Sequence, residues 1–377
     1  MSLKSMLSGS SDADKEFQAI LRDIVPAKEE YQTISKVIPF GAYEPLAPYS
    51  LSKRSDASVV GTAFDYLARA MIAQQLNVNK DDAYLGLVAL AGLKKTKKLI
   101  DKKIHDLLIE KYIDVLADFI DYIYSNNARI IKVNVIVHRC VQEEWNAYSK
   151  FITKAASSRY ELDDDVDRLI SGAYFFAKLE QVFRSGGILP EDINSFFADP
   201  NEEIQRDLQN LSRVFKEKFI GTGLIGPDST VIFNPKFGLG SIMCGGADAD
   251  VYVDGTLYDF KTSKDTRYNW KEVAQILGYF FINNVAFYGR EYNLPAPLME
   301  YKILRIALYK ARYGEIEYFD TSKLGLQTIK ETTERLARYF QKHPDNLNWA
   351  ILSMMIPPDI TPEIFDVPYP LADLVDQ

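Results

Sequence analysis

The stretch 245–264, GGADADVYVDGTLYDFKTSK, constrains the fold more than any other part of the chain. Asp254-Gly255 lies between VYV and TLY, two short runs of β-forming residues. An Asp-Gly connection of two residues tolerates positive φ at both positions, and the resulting turn suits an antiparallel hairpin. With the turn centred there, Val253 opposes Thr256, and counting outward Asp250 opposes Asp259. Side chains alternate at period two, so Asp248 and Lys261 project to the same face. Three acids and a lysine are therefore expected on one patch of a sheet.

The rest of the chain builds around this hairpin. Residues 1–57 mix charge, Pro and Gly and are expected to form a partly ordered arm and an entry loop. Ser58 or Thr62 can cap a first core helix over 58–79, where Phe64, Leu67, Ala68, Met71 and Ile72 recur at helical spacing. Residues 80–220 keep a helical pattern and read as an insertion or subdomain, with a short strand around 130–137 left open by its Ile and Val content. From 221 to 377 glycines and turn residues separate short alternating runs, expected as a set of strands. A helix from about Trp270 to Asn283, one or two strands in MEYKILRIALYKARYGEIEYF and a closing amphipathic helix complete the order. The result is an α/β core interrupted early by helices.

Composition narrows the class of protein. At 47% hydrophobic and 25% charged residues the chain matches folded globular usage. No apolar run approaches the roughly 18–20 residues that span a bilayer, and the start lacks the apolar core of a secretory signal, so a cytoplasmic protein without membrane contact is expected. Cys140 and Cys244 are too few for a disulfide framework, a four-cysteine zinc site or an iron–sulfur cluster. His105, His138 and His343 have no metal-ligand spacing. The net charge of -8 departs from the basic footprint usual for nucleic-acid binders, although carboxylates that hold cations add to that count.

Carboxylates placed opposite each other on adjacent strands repel. A hard divalent cation with oxygen ligands compensates, and Mg²⁺ commonly uses one or two carboxylates with water and phosphate. Lys261 beside it could hold a water or stabilise charge developing on phosphorus. On the following helix Gln275 and Tyr279 are four residues apart and share a face, with Glu272 a turn earlier. Lys264, Arg267 and Lys271 lie close by in sequence as candidate phosphate contacts, whereas the basic run from Lys94 to Lys103 reads first as a solvated helix face.

GGADADVYVDGTLYDFKTSK followed by EVAQILGYFF resembles the G-x-x-D, D-x-K and Q-x-x-x-Y motif series of the PD-(D/E)XK nuclease superfamily, RecB-like exonuclease branch. The resemblance covers about 245–280 well, 58–75 and 300–315 more loosely, and omits the helical insertion. It implies a restriction-endonuclease-like core, with a central mixed β-sheet flanked by helices, and metal-dependent hydrolysis of DNA. It further implies Asp250, Asp259 and the Phe260 carbonyl as ligands to Mg²⁺, or to Mn²⁺, with Lys261 as the catalytic lysine and Gln275 and Tyr279 in support. Counting G-x-x-D from Gly245 selects Asp248, whereas hairpin opposition selects Asp250, so both stand as ligand candidates. The family often carries a histidine on its first helix; GTAFDYLARA has Asp65, a substitute oxygen ligand. The helical insertion would shape the DNA channel or receive a protein partner. The alternative is a nucleic-acid-binding or assembly module that keeps the fold without catalysis. No GxxxxGK[ST] is present, so no ATP-driven motor is expected.

Overall fold

The computed structural model describes residues 3–76, 87–124, 166–286 and 302–343. The helices are α1 (Leu3–Met6), α2 (Asp12–Arg22), α3 (Asp56–Gln74), α4 (Leu87–Thr96), α5 (Lys102–Tyr124), α6 (Ile170–Arg184), α7 (Glu202–Lys218), α8 (Gly238–Met243), α9 (Trp270–Val285) and α10 (Leu326–Lys342). The strands are β1 (Gln32–Thr33), β2 (Val231–Phe233), β3 (Val251–Val253), β4 (Thr256–Lys261), β5 (Arg305–Lys310) and β6 (Glu315–Asp320). They form one six-stranded open sheet in the order β1-β6-β5-β4-β3-β2. Only β4 and β5 run parallel, bridged by α9; the other pairs are antiparallel, so the sheet is mixed.

Strand alternation sorts the side chains into two cores. Val251, Val253, Tyr258, Phe260, Ala307 and Tyr309 face a core shared with α3 to α7. Their neighbours Tyr252, Leu257, Ile306, Leu308 and Phe319 face a second core built with α1, α2, α8, α9 and α10. The helices of the middle of the chain are thus one of two layers covering the sheet. No helix among the described residues is long and apolar enough to cross a membrane.

The hairpin forms as its residues dictate: Asp254 and Gly255 take φ of 44° and 89°, and Val253 pairs with Thr256. Three local expectations change. The first helix begins at Asp56, and Ser58 and Thr62 lie inside it, Thr62 Oγ1 donating to the Ser58 carbonyl at 3.2 Å. A threonine hydroxyl can satisfy itself on the preceding turn, so it need not mark a boundary. Within 1–57 the chain is ordered from residue 3: Ser11 and Asp14 make a capping box for α2, and β1 joins the sheet edge. Gly238–Met243, expected among strands, is helical. Gly240 there lies against the Ile282 backbone so closely that a Cβ would collide, which lets α8 pack onto α9. The region 130–137 falls outside the described residues.

Candidate active site

Asp259 and Lys261 occupy the last turn of β4 before the chain leaves the sheet, and both project to the α9 face. Phe260 between them points the other way, edge-on to Phe215, Phe219 and Tyr309 at centroid distances of 5.6, 5.7 and 5.8 Å. That aromatic anchor fixes the register of the two charged neighbours.

Asp250 leaves the ladder one residue before β3, and its Oδ2 accepts a short hydrogen bond from the Phe260 N–H. Its side chain therefore lies across the β4 end beside Asp259. Burial, and then the charge of Asp259, push the Asp250 carboxyl from 3.8 up to about 7, against the Phe260 N–H, Lys261 and Arg69. Asp65 of α3 belongs to the same group: burial and the charges of Asp250, Glu180 and Asp259 hold it well above the usual carboxylate range.

Lys261 Nζ lies 2.5 Å from Asp259 Oδ2, while that buried oxygen receives no well-directed hydrogen bond. Lys261 Nζ also donates to Gln275 Oε1 at 3.4 Å, and Gln275 Nε2 donates to the Tyr279 hydroxyl at 2.8 Å. The three side chains thus form a Lys–Gln–Tyr chain from β4 to α9. Tyr279 is buried and stacked on Phe237 at 5.3 Å. Burial alone would lower the Lys261 pKa, but Asp259, Glu272 and Asp250 outweigh it and raise the net value, so the side chain remains an ammonium.

Asp248 is placed differently. Its Oδ2 accepts from Arg184 Nη2 at 3.1 Å, and Arg184 Nε donates to Glu180 Oε1 at 2.6 Å. Asp250 and Asp259 are thus the closely opposed pair, with Asp248 held by a guanidinium. Lys264 and Arg267 are exposed; Arg267 closes on Asp265 at 2.7 Å and Lys264 lies 5.4 Å over the Tyr49 ring. Lys271 is exposed on the first turn of α9. Asp265, Arg267, Tyr268, Asn269 and Trp270, in the connection from β4 to α9, line an open cavity of about 350 Å³.

Sequence reasoning missed several charged groups here. Glu180, buried, accepts from Tyr66 at 2.7 Å; its four-residue spacing from Arg184 on α6 was the available signal. Lys310, aligned with Lys261 across β4 and β5, is buried between Glu272 at 3.4 Å and Glu317 at 3.7 Å. Tyr43 donates to Glu317 at 2.6 Å. Arg312 forks onto Asp207 at 2.8 and 2.7 Å and donates through Nε to the Thr262 carbonyl at 2.6 Å, tying α7 to the residue after Lys261.

Among the described residues no three His, Cys, Asp or Glu side chains assemble as a metal cage. Asp250 and Asp259 still offer hard oxygen donors, mutual repulsion and one buried oxygen without a directed hydrogen bond. That donor set fits a hard divalent cation that completes its shell with water and substrate oxygens. No protein-family model, curated protein or solved structure matches the chain.

Proposed function

We propose that this chain is a metal-dependent nuclease of the PD-(D/E)XK superfamily, RecB-like branch, hydrolysing DNA phosphodiesters. The observation that carries the reading is the convergence of Asp250, Asp259 and Lys261 at one strand end, with Gln275 and Tyr279 in hydrogen-bonded support. Asp250, Asp259 and the Phe260 carbonyl would hold Mg²⁺ or Mn²⁺. When bound, the cation would supply an acidified water and polarise a phosphoryl oxygen.

The residues themselves divide the remaining work. Lys261, kept as an ammonium, is a poor proton acceptor; its N–H groups stabilise the charge that builds on the phosphoryl oxygens. Gln275 fixes the lysine, and Tyr279 fixes the glutamine. Asp65 would add a third carboxyl, and the exposed Lys264, Arg267 and Lys271 would supply positive charge for the strand. Arg267 must release Asp265 to take a phosphate.

One observation favours the non-catalytic alternative: Lys261 is already ion-paired with Asp259, and Asp248 with Arg184. The two readings part on cleavage of end-labelled single- and double-stranded DNA in Mg²⁺, Mn²⁺ or EDTA. Metal-dependent cutting by the wild type that disappears in Lys261→Met is the expected result. Equal cutting by the variant sinks the mechanism. Binding without cutting in any metal leaves the binding module as the better reading.

A further inference from the structure

Helix α3 presents Gly61, Asp65 and Arg69 at four-residue intervals, so the three lie along one face. That face meets the strand end. A Cβ at Gly61 would stand 3.2 Å from Thr262 Oγ1, directly after Lys261. Asp65, one turn on, lies within electrostatic reach of Asp250 and Asp259. Arg69 comes next, and its charge acts on both Asp65 and Asp250.

Arg69 is 2% exposed, with its guanidinium stacked 4.7 Å from the centre of the Tyr66 ring. Its Nε is buried and has no hydrogen-bond acceptor among the described residues. The other guanidinium buried beside this strand end is treated very differently: Arg312 satisfies Nε and both terminal nitrogens on Thr262 and Asp207. A buried donor without an acceptor is costly, and more so when charged. Asp65, which lies one turn before Arg69, and Asp250 are partly exposed, so the neighbourhood of the guanidinium is not sealed on every side. A planar fork of donors in a dry setting matches two oxygens of a phosphate.

We infer that Arg69 is a phosphate-binding residue of the site, gripping one phosphate of a nucleic-acid strand on the α3 side of Asp250. The inference rests on the nucleic-acid reading above and adds a residue that the motif resemblance does not supply. The phosphate could be an internal diester or a terminal monoester, and the two are separable by experiment.

Binding of a fluorescent DNA strand is measured by anisotropy with Ca²⁺ in place of Mg²⁺, the strand being recovered intact on a gel. One strand series carries a single uncharged methylphosphonate at each internal position in turn; another lacks its 5′- or 3′-terminal phosphate. Wild type is expected to lose about 10- to 100-fold in affinity at the phosphate that Arg69 holds, beside separate losses at phosphates held by the cation and the other basic residues. Arg69→Met should show the same loss on the native strand and no further loss at that position. A loss that tracks the terminal phosphate identifies a monoester, and one that tracks a methylphosphonate identifies a diester. Should Arg69→Met fail to fold, Arg69→Lys carries the test, with a smaller penalty at the same phosphate because the charge stays and the fork is lost.

Additive effects at every phosphate, affinity of the variant equal to wild type, or no binding of DNA by the wild type would each overturn the assignment. Cleavage by wild type in Mg²⁺ together with additive effects removes Arg69 alone. Coupling at one phosphate without cleavage in any metal keeps Arg69 and removes the hydrolytic reading.

Discussion

Replacing Asp250 with asparagine should make the metal-free protein more stable, even as it removes a ligand candidate. The substitution is nearly isosteric, and an amide oxygen can still accept from the Phe260 N–H. What it removes is a charge that burial and Asp259 disfavour, the carboxyl standing at about 7 instead of 3.8. Ionising such a group costs folding about 4 kcal/mol at 1.36 kcal/mol per pH unit, which partial exposure screens to about 2 kcal/mol. Below pH 3.8 both folded and unfolded chains hold the proton and there is no cost. Between 3.8 and about 7 the unfolded chain releases it while the folded one keeps it, so wild-type stability falls as pH rises. Above about 7 the cost is constant.

The gain in Asp250→Asn should therefore be full at pH 8, roughly a third as large at pH 5, and absent near pH 4. Urea midpoints followed by tryptophan fluorescence in EDTA, with equal m-values as a control, measure it. Adding Mg²⁺ at pH 8 should stabilise wild type by about 3 kcal/mol at a hundredfold excess over its dissociation constant, and the variant far less. An asparagine variant less stable than wild type at pH 8, or one whose advantage does not shrink on acidification, would refute the account of this carboxyl. Equal stabilisation of both proteins by Mg²⁺ would separate Asp250 from the cation.

Further consequences follow from the same geometry. Arg312→Met leaves Asp207 buried without its partner and should cost about 3–5 kcal/mol by thermal unfolding, most of it recovered when Asp207→Leu is added. Gly92→Ala puts a Cβ onto the Leu179 carbonyl, so α4 and α6 must separate; a loss of about 1–3 kcal/mol and faster hydrogen exchange across Ile170–Arg184 are expected. Tyr279→Phe strands the Gln275 amide donor and should lower kcat by less than about tenfold, whereas Gln275→Ala, which also frees Lys261, should lower it further. Because Lys261 stays charged well into alkaline pH, the rate profile in Mg²⁺ should show no loss from this group between pH 7 and its ordinary 10.5.

What could be read from sequence was local. Asp254-Gly255 set the hairpin because its φ demands are intrinsic to the two residues, and period two put Asp259 and Lys261 on one face of β4; Asp250 lies beyond the paired register and reaches the strand end through its bond from the Phe260 N–H instead. The four-residue step from Gln275 to Tyr279 gave their shared face for the same kind of reason. Asp248 obeyed no such rule: its placement depends on Arg184, which arrives from α6, 64 residues away along the chain. Lys310 carries no local signal: its burial follows from β5 lying parallel to β4, with Glu272 of α9 and Glu317 of β6 beside it. Gly238–Met243 has the glycine content of a turn region, and the use of Gly240, close contact with the Ile282 backbone, lies 42 residues away along the chain. These three misses are contacts between elements distant in sequence, whereas the Ser58 and Thr62 boundary failed on a contact four residues apart.

The same contacts change how the middle helices relate to the site. Asp207 of α7 clamps Arg312, whose Nε holds the carbonyl of Thr262 immediately beyond Lys261. Glu180 and Arg184 of α6 hold Tyr66 and Asp248. Phe215 and Phe219, also outside the motif-bearing stretch, anchor Phe260 between the two charged residues of β4. Removing this layer would expose the apolar face of the sheet and release the strand end that carries Asp259 and Lys261. The helices therefore act on the site as its support, and substitutions on α6 and α7 should disturb the geometry of Lys261 without touching a ligand. A channel or a partner surface on the outside of this layer would have to coexist with that structural role.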